Sequence, residues 1–163
     1  MKSYYTSVGT ISCCLEDKMN NYFSKEMKRC NYLTSEIEGV YHEMALKLGL
    51  SDSAMRILYA ICDTGESCML KEICRISGIS KQTINSAIRK LEREGMVFLT
   101  AAGSKNKNVC LTDKGKELVQ DTVMRIIEAE NEILASWSEE EVEAYLGLTE
   151  KYLNAIREKA ENM

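Results

Sequence analysis

The chain of 163 residues contains no proline. Nothing in it removes a backbone donor from a helix interior, so long helices with short connections are expected. It has one histidine, His42, which cannot build a His-rich metal site. No Ser or Cys is patterned to pair with that imidazole, and no Gly-rich phosphate loop is present. These absences leave no catalytic constellation and no cofactor to expect. No apolar run approaches the roughly 18 residues of a membrane span. The opening MKSYYTSVGTISCCLEDK has no apolar core like that of a signal peptide, so a cytoplasmic protein with no membrane partner is expected. The seven cysteines, Cys13, Cys14, Cys30, Cys62, Cys68, Cys74 and Cys110, form no Cys-x-x-Cys pair. Their odd number and irregular spacing argue against a disulfide framework. Cys62, Cys74 and Cys110 fall on apolar faces and are expected to pack in the core as small hydrophobes.

What the chain does have is apolar material and an uneven charge. The apolar fraction is 45%, enough for a real core in one domain with helical extensions. The net charge is −4, which argues against an all-over nucleic-acid coat. Yet residues 67–116 hold 10 Lys and Arg against 4 Asp and Glu. A basic module inside an acidic chain is the footprint of a localised DNA-binding face, although a solvated basic surface has the same arithmetic.

That module has internal order. Leu70, Ile73, Cys74 and Ile76 recur at helical spacing. Gly78 follows where a helix end favours positive φ, and Ser80 can cap the next helix. That helix carries Ile84, Ala87, Ile88 and Leu91 on one face. Its other face carries Lys81, Gln82, Thr83, Asn85, Ser86, Arg89 and Lys90, and Gly95 closes it. A helix pair with a Gly turn and a polar, basic second helix is the sequence form of a helix-turn-helix. Gln and Asn can bond adenine edges in a major groove, Arg and Lys can bond guanine, and Ser and Thr suit phosphates. An ordinary amphipathic helix with a solvated face is the plainer reading. Met96–Thr100 and Val109–Leu111 then read as strands around the polar, basic loop 101–108, a hairpin. A helix-turn-helix followed by such a hairpin is a winged helix, with Lys105 and Lys107 at its tip as backbone or minor-groove contacts.

At this point the chain resembles the MarR-type (multiple-antibiotic-resistance) regulators, over roughly Tyr22 to Ile156. The resemblance rests on the order and spacing of several pieces. Leu48-Gly49-Leu50-Ser51 is followed by Leu70-Lys71-Glu72-Ile73, Ile79-Ser80-Lys81-Gln82-Thr83 and Leu91-Glu92-Arg93-Glu94-Gly95. Leu111-Thr112-Asp113-Lys114-Gly115 follows the wing, and Ser138-Glu139-Glu140-Glu141 opens the last helix. The wing departs from the pattern. Many members carry an Asp and several Arg there, whereas this tip is Gly103-Ser104-Lys105-Asn106-Lys107, and Lys lacks the planar fork of Arg. The resemblance implies a homodimer interlocked through terminal helices. It also implies a ligand pocket between the long helices and the DNA module, for which Tyr41, His42 and Tyr59 are candidate lining. Some relatives sense peroxides through a cysteine. Here Cys30 stands beside Lys28 and Arg29, cations of the kind that lower a thiol pKa.

The rest of the chain frames this module. Residues 1–14 show no sustained period and read as a loose tail. From Leu15 to Leu48 apolar residues recur at three and four, as one helix or as two broken near Asn31–Ser35, where Ser35 and Glu38 could form a capping box. A stripe this long cannot be buried on a small winged domain, so it needs a partner, and a second copy is the simplest. Ser51 or Ser53 caps the following helix, and Ser67–Met69 reads as a short strand. Thr112 caps a helix expected to run to about Ala135. Ser138 with Glu141 opens a last helix to about Glu158. The expected architecture is mainly α with a small β-hairpin wing (α+β). A winged helix-turn-helix at 51–112 is flanked by helical dimerisation regions at 15–50 and 113–160.

The leading functional reading is a homodimeric, sequence-specific regulator on double-stranded DNA. Ser80, Lys81, Gln82, Thr83, Asn85, Ser86, Arg89, Lys90, Lys105 and Lys107 would contact a near-palindromic operator. A repressor released by a small-molecule effector is the expected mode. A thiol-based redox sensor, and a winged helix used only for protein contact, are the two alternatives.

Overall fold

The computed structural model describes residues 24–103 and 106–163. The expected tail at 1–14, the apolar positions from Leu15 to Phe23, and Lys105 lie outside the described residues. The chain divides into two units, residues 1–47 and 48–163.

In the first unit, helix α1 spans Lys25–Lys47 without interruption. The alternative break near Asn31–Ser35 is absent. Every residue there is already satisfied by helical bonds to its neighbours, so Ser35 and Glu38 form no new start. Ala45 is its one buried residue. Tyr32, Leu33, Ile37, Val40 and Leu46 are large apolar side chains left exposed.

The second unit begins with helix α2 (Asp52–Asp63), capped by Ser51, whose Oγ accepts from the Ala54 amide at 3.3 Å. Between the two candidate caps, Ser51 takes the role. Strand β1 (Ser67–Met69) leads into α3 (Leu70–Ser77) and α4 (Lys81–Arg93). Strands β2 (Val97–Ala102) and β3 (Asn106–Leu111) form the wing, and β3 lies at the centre of an antiparallel sheet ordered β1-β3-β2. The strands are longer than the residue types suggested. Ala102 pairs with Asn106, so the ladder runs through most of the polar segment expected to be loop. Ladder bonds are backbone bonds, and a small polar residue on an exposed hairpin satisfies them as well as a valine does.

The core of this unit lies where α2, α3, α4 and the sheet meet. Ile57, Leu58, Ile61, Ile73, Ile84 and Val109 are fully buried, each contributing roughly 1.5–3 kcal/mol by leaving water. Arg56 Nη1 donates to the Ser77 carbonyl at 3.4 Å, tying α2 to the end of α3. Cysteine contributes less than expected. Cys68 is buried, but Cys62, Cys74 and Cys110 are only half-buried, because each lies at the margin of its apolar face.

After the wing, the expected single helix from Thr112 to Ala135 is two: α5 (Asp113–Asp121) and α6 (Val123–Ala135). The break is at Thr122, whose φ of −128° and ψ of −79° leave the helical region. Its hydroxyl donates to the Leu118 carbonyl at 2.5 Å, the back-bonding to the preceding turn that bends helices. Helix α7 (Glu139–Glu161) opens with the expected capping box. Ser138 Oγ accepts from the Glu141 amide at 3.2 Å, and the Glu141 carboxylate accepts from the Ser138 amide at 2.9 Å. It runs slightly past Glu158. It has no buried residue at all, although Tyr145, Tyr152, Leu153 and Ile156 line up on it. Among the described residues no helix is long and apolar enough to cross a membrane.

Candidate nucleic-acid interface

The turn between α3 and α4 follows from two residues. Gly78 closes α3 at φ 64°, in the left-handed region that glycine tolerates. Ser80 then caps α4: its Oγ accepts from the Thr83 amide at 3.2 Å and lies 2.9 Å from the Thr83 hydroxyl. Ile84, Ile88 and Leu91 bury one face of α4, which fixes its rotation about its own axis. Lys81, Gln82, Thr83, Ser86, Arg89 and Lys90 are therefore exposed on the opposite side, with Asn85 half-buried between.

Two clefts flank this helix. The first, about 510 Å³, separates α4 from the wing. Lys81, Asn85 and Arg89 enter it from the helix and Lys107 from β3. Lys71 of α3 and Asn106 of the wing also line it, and neither was singled out from the sequence. The helical phase of 70–76 does turn Lys71 away from the core. That it meets Arg89 and Lys107 is a consequence of packing, not of local pattern. The second cleft, about 390 Å³, lies on the other side of α4. It holds Thr83, Ser86 and Lys90 together with Leu50 and Leu118.

The basic surplus of the module is partly consumed elsewhere. Arg75 donates through Nε and Nη2 to the Glu72 carboxylate. That pairing holds the Glu72 carboxyl below its ordinary range and raises the guanidinium. Lys116 lies 2.7 Å from Glu66, which raises its ammonium above the usual lysine value. Lys90 and Glu94 are 3.9 Å apart and both exposed, a contact of little energetic weight. Lys71, Lys81, Arg89 and Lys107 are the cations that converge on one groove. A groove of four cations and two amides, with an exposed helix for one wall, suits a phosphate backbone and the base edges beside it.

The other candidates lie on α1 and α2. Tyr41 is half-buried and His42 exposed on α1. Tyr59 is half-buried on α2, and its hydroxyl donates to Glu130 Oε2 at 2.5 Å. Tyr59 lines neither cleft. Cys30 is exposed on α1, next to exposed Lys28 and Arg29. Burial pushes the Cys62 thiol above its ordinary value. Among the described residues no group of three or more His, Cys, Asp or Glu is placed to hold a metal ion.

The MarR family model matches residues 48–105. No curated protein sequence matches the chain. A MarR family regulator from Neisseria meningitidis superposes with a TM-score of 0.72 at 18% identity, covering 86% of this chain and 100% of its own. The MarR protein from Peptoclostridium difficile gives 0.64 at 20%, covering 97% of each. BpsR of Bordetella bronchiseptica, whose DNA binding is regulated by 6-hydroxynicotinic acid, gives 0.58 at 18%, covering 76% of this chain and 98% of its own. Residues 48–105 thus carry the sequence pattern of the MarR family, and the chain has the winged-helix fold of that family's regulators.

Proposed function

We propose that the protein is a cytoplasmic, homodimeric, sequence-specific DNA-binding regulator of transcription, a repressor released by a small-molecule effector, and not an enzyme. The observation that carries this reading is the groove in which Lys71, Lys81, Arg89 and Lys107 converge beside the polar face of α4. In the complex, α4 enters a major groove, with Gln82, Thr83, Asn85, Ser86 and Arg89 toward the bases. Ser80, Lys81, Lys90 and Lys107, and Lys105 by the sequence reading, take phosphates. Two copies bring two such helices to half-sites about one helical turn apart, so the operator is a near-palindrome of double-stranded DNA.

The exposed apolar faces of α1 and α7 support the dimer, since faces of this kind in a water-soluble chain are commonly interaction surfaces. The effector follows from the likeness to BpsR. A ligand that prefers a form with the wrong half-site spacing lowers DNA affinity by that preference alone. Tyr41, His42 and Tyr59 remain its proposed contacts.

The test is selection of duplexes from a random pool by the purified protein, then anisotropy titration of the enriched and scrambled DNA at several salt concentrations. An enriched inverted repeat bound more tightly than scrambled DNA supports the reading. Arg89→Ala should then cost roughly 1–3 kcal/mol and relax the preference, while Lys107→Ala should weaken both DNAs and flatten the salt slope by about one. Equal binding to both DNAs by the unmodified protein contradicts sequence-specific recognition. Absence of binding at low salt favours a winged helix used for protein contact.

A further inference from the structure

Helix α4 closes its own last turn: the amides of Glu94, Gly95 and Met96 donate to the carbonyls of Lys90, Glu92 and Leu91 at 3.0, 3.0 and 2.9 Å, and Arg93 Nε donates to the Arg89 carbonyl at 3.3 Å. The carbonyls of Glu94, Gly95 and Met96, just past the helix, are in turn held by donors that come from after the wing. Thr112 Oγ1 lies 2.6 Å from the Gly95 carbonyl and 3.2 Å from that of Met96. The Thr112 amide donates to the Met96 carbonyl at 3.0 Å. Lys114 Nζ donates to the Glu94 carbonyl at 3.0 Å. Three consecutive carbonyls at the exit of α4 are thus held by the first turn of α5.

The same threonine also starts α5. Its Oγ1 accepts from the Gly115 amide at 3.0 Å, so one hydroxyl caps α5 and holds the segment that leaves α4. The approach is close enough to require glycine at 115. A Cβ there would lie 2.0 Å from the Met96 carbonyl oxygen, well inside van der Waals contact, and the obstacle is backbone that cannot rotate aside.

We propose that Thr112, with Lys114 and Gly115, is a joint that positions the C-terminal end of α4 on α5 and so sets the direction in which the DNA-reading face points. The inference rests on the DNA-binding reading above for its purpose, but the joint itself is open to test without DNA. These are positioning residues: they act through the carbonyls of Glu94, Gly95 and Met96. A rigid body carrying α5 that moves relative to DNA carries α4 with it. A joint that loosens frees α4 from that motion.

The test compares Thr112→Val with Thr112→Ser in the full chain. Valine keeps the shape and removes the hydroxyl's contacts with the Gly95 and Met96 carbonyls and the Gly115 amide, whereas serine keeps them. On the free protein, amide exchange at Glu94, Gly95 and Met96 reports the end of α4 directly. Thr112→Val should exchange about fivefold faster there, the factor expected for one net hydrogen bond, and Thr112→Ser should match the unmodified chain. On DNA, Thr112→Val should lose about fivefold in affinity for the selected duplex. Its affinity for scrambled DNA and its salt slope should be unchanged, because no phosphate contact is removed. Unchanged exchange in Thr112→Val overturns the joint. So does an equal loss on both DNAs, which marks general unfolding, and so does a failure of serine to restore the unmodified behaviour. If the unmodified protein shows no sequence preference, the DNA reading fails while the exchange experiment still decides the joint.

Discussion

The winged-helix module and helix α7 have similar raw material and opposite fates. In the module, Ile57, Ile73 and Ile84 are fully buried, and the carbonyls at the exit of α4 are held by the next helix. In α7, Tyr145, Tyr152, Leu153 and Ile156 recur with the same helical regularity, yet no residue is buried. Amphipathic periodicity alone therefore does not say where a face is buried. It says only that a face exists. The module closes on itself because its helices are short and meet around a sheet. A helix of 23 residues, about 34 Å at 1.5 Å per residue, has too long a stripe for a module of this size to cover. Helix α1 repeats the pattern with Leu33, Ile37 and Val40.

The largest effect expected from this contrast is in the module. Ile57→Ala should cost roughly 2–5 kcal/mol of unfolding free energy, as large-to-small core changes do. That loss should appear in chemical denaturation at any protein concentration. A concentration-dependent loss would mean that the module is not self-sufficient. Next is Leu153→Asp on the open face of α7. It should leave the isolated module folded but dissociate the proposed dimer, lowering affinity for a two-half-site duplex about a hundredfold through lost avidity. An unchanged sedimentation coefficient would remove α7 from the interface.

Ser138→Ala should cost about 1 kcal/mol, the usual weight of a helix cap, seen as a lower thermal midpoint. No change would mean that Glu141 alone holds the start of α7. The smallest effect concerns the thiols. Cys30 is exposed, while Cys62 is half-buried with its thiol pushed up by burial. A thiol raised in this way is more fully protonated near neutral pH than a free one, and only the thiolate reacts. A maleimide reagent at neutral pH should therefore label Cys30 before Cys62. Peroxide treatment that abolishes Cys30 labelling together with DNA binding would favour a redox sensor.

Legibility in the sequence followed the range of each signal. Ser80, Gly78 and the Ser138–Glu141 box were readable because cap and partner lie within four residues. The polar face of α4 was readable because helical phase separates it from Ile84 and Ile88. Thr122 was not, since its side chain competes with a helix that its apolar neighbours Val119, Val123 and Ile126 continue across. The true length of the wing was hidden because ladder bonds carry no side-chain signature at Asn106 and Lys107. The convergence of Lys71 with Arg89 and Lys107, and the grip of Thr112 on Gly95, join residues 17 or more apart in sequence. No local pattern encodes such meetings.

In the proposed dimer, uncovered helix faces join two chains so that two copies of α4 read one operator. Sedimentation equilibrium of the purified, reduced protein, alone and with its selected duplex, tests it most directly. A dimer gives a free species of twice the 18.5 kDa chain, and two chains on each duplex. A free monomer at micromolar concentration that binds one chain per duplex would contradict it.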